Sequence, residues 1–307
     1  GRVVTAECLG GTGALRVGGD FVKRLDTNAP AAISAPSWEN HRGIFESAGY
    51  QVLEYSYFDP KTRGVDFEGM VKSLESFPAK TLVILHACCH NPTGADLTPD
   101  QWKKIISICQ TRQLIPFLDI AYQGFATGIE EDGAAVQLFA NSGMSFFVSS
   151  SFSKSFSLYG ERVGALSIVT QSKEESARVL SQLKRVIRTN YSNPPTHGAA
   201  IVAMVLNSPK LRQMWEDELA EMRERIKAMR HGLNKKLAAA GAQQDFSFIE
   251  TQRGMFSYSG LTAGQVANLQ EQDGIYALST GRICVAALNT KNLDRVAQAI
   301  ARVLVSK

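Results

Sequence analysis

The chain has 307 residues, 44% hydrophobic and 20% charged, the balance of a globular protein with a large core. Its net charge of +4 is spread out, with no run of Lys and Arg that would serve nucleic acid or a membrane surface, so neither is expected as a partner. No apolar segment approaches a membrane span and no signal peptide is visible, which places the expected protein in the cytoplasm.

The first motif is Gly10-Gly11-Thr12-Gly13-Ala14-Leu15-Arg16, a glycine-rich turn opening a helix. Backbone N–H groups at a helix start suit a phosphate. The motif lacks the third glycine of a dinucleotide fingerprint and the Lys-Ser/Thr of a P-loop. Pro36-Ser37-Trp38-Glu39-Asn40-His41 follows.

Short apolar runs at 81–85, 114–118, 146–148 and 163–169 then alternate with helical patterns, the signature of an α/β unit with a mainly parallel sheet. Between the first two, Thr98 and Pro99 open a helix with Trp102, Ile105, Ile106 and Cys109 on one face. A long amphipathic helix spans 209–240, with Leu219, Ile226, Leu233 and Leu237 among its apolar positions and Gly241 at its end. The remainder reads as a small α+β unit: strands near 255–258 and 282–286, then a helix from Asn292. The expected division is a large domain over 1–221 and a small one over 222–307, joined by the helix 209–240. Cys8, Cys88, Cys89, Cys109 and Cys284 show no disulfide-like or zinc-like spacing. Adjacent Cys88 and Cys89, placed on a strand, would face opposite ways, so buried reduced thiols and no metal are expected.

Polar residues recur at the carboxyl ends of the strands, where open α/β sheets bind ligands. Lys154, in Ser151-Phe152-Ser153-Lys154, has an amine suited to a covalent bond with an aldehyde cofactor. Ser151, Ser153 and Arg162 offer donors and charge for a phosphate. Pyridoxal phosphate would also need an acid at its ring nitrogen, for which Asp119 is the candidate, and donors to its ring oxygen, for which Tyr122 and Asn91 are available. Trp38 has the aromatic face to stack on the ring, His41 can orient Asp119, and Arg188 and Arg282 have the planar fork that binds carboxylates. Each residue alone also suits an ordinary role: Asp119 as a turn cap, Asn91 as a turn residue before Pro92, Trp38, Tyr122 and His41 as core side chains, and the arginines as surface charges.

Taken together, the motifs at 10–16, 36–41, 88–94, 119–124, 151–164, 190–195, 254–258 and 281–286 resemble, in order and approximate spacing, the class I aminotransferases. The likeness spans the chain and lies in the aspartate and aromatic amino-acid branch. Cys88-Cys89-His90-Asn91-Pro92-Thr93-Gly94, Ser157-Leu158-Tyr159-Gly160-Glu161-Arg162 and Gln252-Arg253-Gly254-Met255-Phe256-Ser257-Tyr258 are slightly more similar to the bacterial aromatic enzymes. The resemblance implies the type I fold of pyridoxal-phosphate enzymes, a seven-stranded, mainly parallel sheet sandwiched by helices with a smaller α+β C-terminal domain. It implies Lys154 as the lysine bonded to the cofactor, Asp119 at the ring nitrogen, Tyr122 and Asn91 at the ring oxygen, and Trp38 stacked on the ring. Gly11, Thr12, Ser151, Ser153 and Arg162 would hold the phosphate. Arg282 would grip the α-carboxylate, and Arg188 would reach a distal carboxylate in a neighbouring subunit's site. Trp38 and Asn91 would also touch substrate, and His41 would stand behind Asp119.

The implied activity is ping-pong transfer of an amino group between an aromatic or dicarboxylic L-amino acid and 2-oxoglutarate by a homodimer. A strict aspartate enzyme is the alternative. The family also carries a segment before Gly1, including an arm and part of the small domain; lacking it, an inactive fragment is a second alternative. Ser151-x-x-Lys154 further matches the serine–lysine motif of penicillin-recognising acyl enzymes, but no Lys-Thr-Gly follows.

Overall fold

The computed structural model describes residues 1–305; Ser306 and Lys307, the last two positions of the expected small domain, lie outside the described residues. Seven strands form the main sheet: β1 (Val3–Leu9), β2 (Ala31–Ala35), β3 (Val52–Ser56), β4 (Leu82–His86), β5 (Ile115–Ile120), β6 (Phe146–Ser151) and β7 (Val163–Val169). Their order is β1-β7-β6-β5-β4-β2-β3, and β7 alone runs antiparallel to its neighbours. The expected α/β class with a mainly parallel seven-stranded sheet is what the chain forms.

The central strands are apolar along most of their length, up to their polar carboxyl ends, because both faces are covered. Leu82, Ile84, Phe117 and Phe147 pack with the helix Gly10–Leu25 on one side. Val83, Leu85, Leu118 and Val148 pack with Trp102, Ile105 and Cys109 of the helix Pro99–Arg112 on the other. That second helix starts as expected, with a reciprocal capping box between Thr98 and Gln101.

Strands β5 and β6 run further than their apolar runs, because pairing continues through polar residues. His86, Asp119 and Ser149 lie side by side in register across β4, β5 and β6, all at the carboxyl end of the sheet. Ser151 still pairs with Gly164, so Lys154 sits in the turn just beyond the strand.

The long helix runs Pro209–Ala239, capped by Ser208, and Gly241 follows with φ +82°. Beyond it, β8 (Phe256–Tyr258) pairs antiparallel with β9 (Arg282–Cys284), which ends in a 3₁₀ turn at Val285–Ala287 rather than continuing to 286. Helices Ala263–Asp273 and Leu293–Val305 complete the C-terminal unit. Its apolar core, built on Leu219, Ile226, Leu233, Ile249 and Ile300, is continuous with Cys88, Cys89, Tyr122 and Phe125 from the loops after β4 and β5.

Two cysteine expectations need correction. Cys284 is exposed, whereas the other four are buried. Cys88 and Cys89 do not alternate across a strand: β4 stops at His86, and Cys89 has a left-handed backbone (φ 51°). The two sulfurs and a carboxylate oxygen of Asp132 therefore lie within 4.8 Å of one another. That carboxylate already accepts N–H bonds from Gly124, Ala126, Thr127 and Gly128. Among the described residues, no helix is long and apolar enough to cross a membrane.

Candidate active site

A cavity of about 340 Å³ opens at the carboxyl end of the sheet. Gly11, Thr12, Trp38, Asn91, Asp119, Tyr122, Ser151, Ser153, Lys154 and Arg162 all line it. These come from five separate motifs along the chain, so only the strand order brings them together.

The cradle side is built at the first turn of the helix Gly10–Leu25. Leu9 stands at the N-cap without a side-chain bond, and no acidic residue lies in that turn, so the N–H groups remain open to an anion. Gly10 has φ +68° and donates its N–H to the Arg162 carbonyl at 3.1 Å, drawing Arg162 against the helix start. The guanidinium is held by the Leu9 and Tyr159 carbonyls. A Cβ on Gly11 would come within 3.1 Å of the Ser151 Cβ, filling the space between the helix start and β6. Gly164 is needed for the same approach, since its Cβ would lie 2.3 Å from the Gly10 carbonyl carbon.

Lys154 Nζ lies 4.9 Å from the Tyr122 ring centroid and 5.2 Å from that of Tyr159. No carboxylate among the described residues pairs with it. Burial lowers its proton affinity below that of an ordinary lysine; Arg162 pushes the same way and Asp119 opposes. Burial likewise raises the Tyr122 hydroxyl, helped by the negative charge of Asp119.

Asp119 is 4% exposed, and burial works against its charge. The hydrogen bond from His41, the nearby His41 and His86 rings, and the Ser149 hydroxyl together outweigh burial and hold its carboxyl below the usual range. His41 Nε2 lies 2.8 Å from Asp119 Oδ2, and its Nδ1 lies 2.9 Å from Ser37 Oγ. His41 does not border the cavity; it packs behind it, edge-on to Trp38 at 5.3 Å. Both nitrogens of His41 are thus engaged, so the grouping of His41, His86 and Asp119 is not an open metal site.

Arg282 approaches from β9. Its Nη1 donates to Asn91 Oδ1 at 2.9 Å, and its Cζ lies 4.3 Å above the Phe256 ring. Arg188 behaves differently: it is exposed in the last turn of the helix Lys173–Asn190 and does not border this chain's cavity.

Sequence reasoning passed over His86, Ala121, Tyr159 and Gly160, which also line the cavity. His86 was within reach, being the last residue of a strand whose carboxyl end faces the ligand side. It is buried with an unpartnered Nδ1, packed between His41, tilted at 4.7 Å, and His90, edge-on at 4.4 Å.

The donor set fits the group that the resemblance implied. An open helix start, an arginine, a buried carboxylate and an amine with reduced proton affinity all line one cavity. The match to known proteins agrees. Residues 2–300 match the family model for aminotransferase class I and II. The chain belongs to this family.

Among aminotransferases, the aspartate aminotransferase of Pseudomonas aeruginosa is 64% identical, over 99% of this chain and 76% of that protein. The aromatic-amino-acid aminotransferase of Escherichia coli is 52% identical over the same shares. The crystal structure of an aromatic-amino-acid aminotransferase from Burkholderia pseudomallei, covalently bound to pyridoxal phosphate, superposes with a TM-score of 0.98 at 66% identity. It too covers 99% of this chain and 76% of that one.

Proposed function

We propose that this aminotransferase uses pyridoxal phosphate to move an amino group between an aromatic or dicarboxylic L-amino acid and 2-oxoglutarate. The carrying observation is the convergence of Lys154, Asp119 and the Gly11–Arg162 cradle on one cavity. Relatives named for aspartate and for aromatic amino acids, both above half identity, support the dual substrate range.

Bound at this site, pyridoxal phosphate supplies an aldehyde to carry the amino group and a ring to take up the electron pair left at the substrate Cα. Lys154 Nζ is assigned to the aldehyde carbon, and Gly11, Thr12, Ser151, Ser153 and Arg162 to the phosphate. Asp119, fixed by His41, would hold a proton on the ring nitrogen. Tyr122 and Asn91 serve the ring oxygen, and Trp38 stacks on the ring.

An amine with lowered proton affinity is the base this reaction needs. Free of the aldehyde carbon, Lys154 Nζ would be neutral over a wider pH range than a solvated lysine, so it could hold the proton taken from the substrate Cα. Arg282, aimed by Asn91, holds the α-carboxylate so that the Cα–H bond faces that amine. Arg188 is assigned to a distal carboxylate in a partner subunit's site, a role consistent with its exposure here. A homodimer is further supported by Met204 and Met214, 67% and 52% exposed on consecutive helices. The division at 1–221 and 222–307, and a cytoplasmic location, belong to the same reading.

Titration of the purified protein with aspartate, tyrosine or phenylalanine should bleach its visible absorption, and 2-oxoglutarate should restore it. Turnover of the three in one preparation ranks the substrates. Absorption that no amino acid changes would refute the reading.

A further inference from the structure

A second cavity, of about 540 Å³, lies where the long helix meets the segment before β8 and the loop after β5. Its lining includes Lys227, Arg230, His231 and Arg253, against a single carboxylate, Glu250. That carboxylate is already committed to His231 at 3.1 Å and Asn234 at 2.6 Å.

Arg230 is the unusual member. It is 3% exposed, yet no carboxylate among the described residues lies within ion-pair distance. Its Nη groups donate to the carbonyls of Ile249, Gly254 and Phe256 and to the Ser257 hydroxyl. Of its five N–H donors, Nε–H takes no part in those bonds. A buried guanidinium without a counter-ion leaves an attraction for anions unspent. Burial lowers its proton affinity to about 10, with Cys89 and Asp96 opposing.

Gln252, also 3% exposed, lines the same cavity, and neither Oε1 nor Nε2 has a hydrogen-bond partner. A buried primary amide with both ends unpaired costs free energy unless something offers it an acceptor and a donor together. A carboxylate or sulfate offers acceptors only. A hydrogen phosphate ion offers both, with the charge that Lys227, Arg230 and Arg253 call for.

We infer that this cavity is a phosphate-binding site, separate from the one at Lys154. Its ligand joins the long helix to the chain on either side of Gly254, whose carbonyl Arg230 already holds; Lys227 borders the site while paired with Glu224 at 2.9 Å, so Arg230 and Arg253 carry most of the charge. The site stands whatever the amino-acid substrate is.

Calorimetric titration of the cofactor-loaded protein, whose cradle at Gly11 is filled, tests the assignment with inorganic phosphate and sulfate as probes. The expected result is saturable binding of phosphate, with sulfate at least tenfold weaker. The Lys227→Gln/Arg253→Gln variant and Gln252→Leu should each weaken phosphate at least tenfold without changing cofactor absorbance. The double variant alters only side chains at the cavity mouth, so it tests the charge even if Gln252→Leu fails to fold. Absence of saturable phosphate binding, unchanged affinity in the double variant, or sulfate binding as tightly as phosphate would each overturn the assignment.

Discussion

Arg282 and Asn91 are 191 residues apart in sequence, yet Nη1 of one donates to Oδ1 of the other at 2.9 Å. The contact ties the C-terminal unit to the turn after β4, across the mouth of the cavity. An arginine on a short two-stranded ladder would otherwise sample many positions, and a charge-assisted bond restricts it.

Asn91→Ala should therefore loosen the carboxylate grip. Loss of one bond to a charged group is worth about 1.5–3 kcal/mol, so KM for every amino acid should rise roughly tenfold or more. Steady-state kinetics with aspartate and tyrosine check this. An unchanged KM would show that the tether does nothing for binding.

His41→Leu removes the bond that offsets the burial of Asp119. The carboxyl should become harder to ionise, and kcat/KM should fall about 10- to 100-fold for the loss of one charge-assisted bond. The acid limb of the pH–rate profile should shift upward in the variant. A profile identical to that of the unaltered protein would argue against His41 as the orienting group.

His86 gives a pH dependence of stability. Burial, reinforced by nearby His41, lowers its pKa from 6.5 to about 3, with Asp119 opposing. Between those values the unfolded chain binds a proton that the folded chain refuses, so stability rises with pH through this window and is lost as pH falls from 6.5 towards 3. His90, also lowered by burial, adds to the effect. Denaturant titrations at pH 7 and pH 5 should show the loss. In His86→Gln, unfolding at pH 5 should take up about one proton fewer; an unaltered pH slope would contradict the prediction.

Gly164→Ala places a methyl group 2.3 Å from the Gly10 carbonyl carbon. The chain must separate β7 from the first turn of the helix, at a cost of about 1–3 kcal/mol for overpacking. Thermal unfolding should show a lowered midpoint. Retention of cofactor on dialysis should fall in parallel, because the same approach shapes the cradle.

Much of this architecture was legible because buried parallel strands must be apolar on both faces, as 82–85 and 114–118 are. The Thr98–Pro99 helix start and the 209–240 periodicity were local signals, so their helices could be read directly. Pairing through polar residues was not legible: apolar runs end at Leu118 and Val148, whereas ladders carry β5 and β6 on to Ile120 and Ser151. The antiparallel placement of β7 between β1 and β6 depends on long-range contacts that no local pattern records. The same limit applies to Cys88 and Cys89, whose alternation argument assumed a strand that stops two residues earlier. His86 was passed over although its place at the carboxyl end of an apolar run pointed to the ligand side; its alignment with Asp119 comes only from the sheet. The candidate residues at 11, 12, 38, 91, 119, 122, 151, 153, 154 and 162 were found through spacing of whole motifs, and they meet in one cavity. Arg188 does not border it.

The most direct measurement is borohydride reduction of the cofactor-loaded protein followed by peptide mass spectrometry. The account predicts a stable pyridoxyl-phosphate adduct on Lys154, and its disappearance in Lys154→Ala together with a fall in turnover of at least about 10³-fold. An adduct on another lysine with Lys154 unmodified, or full turnover in Lys154→Ala, would contradict it.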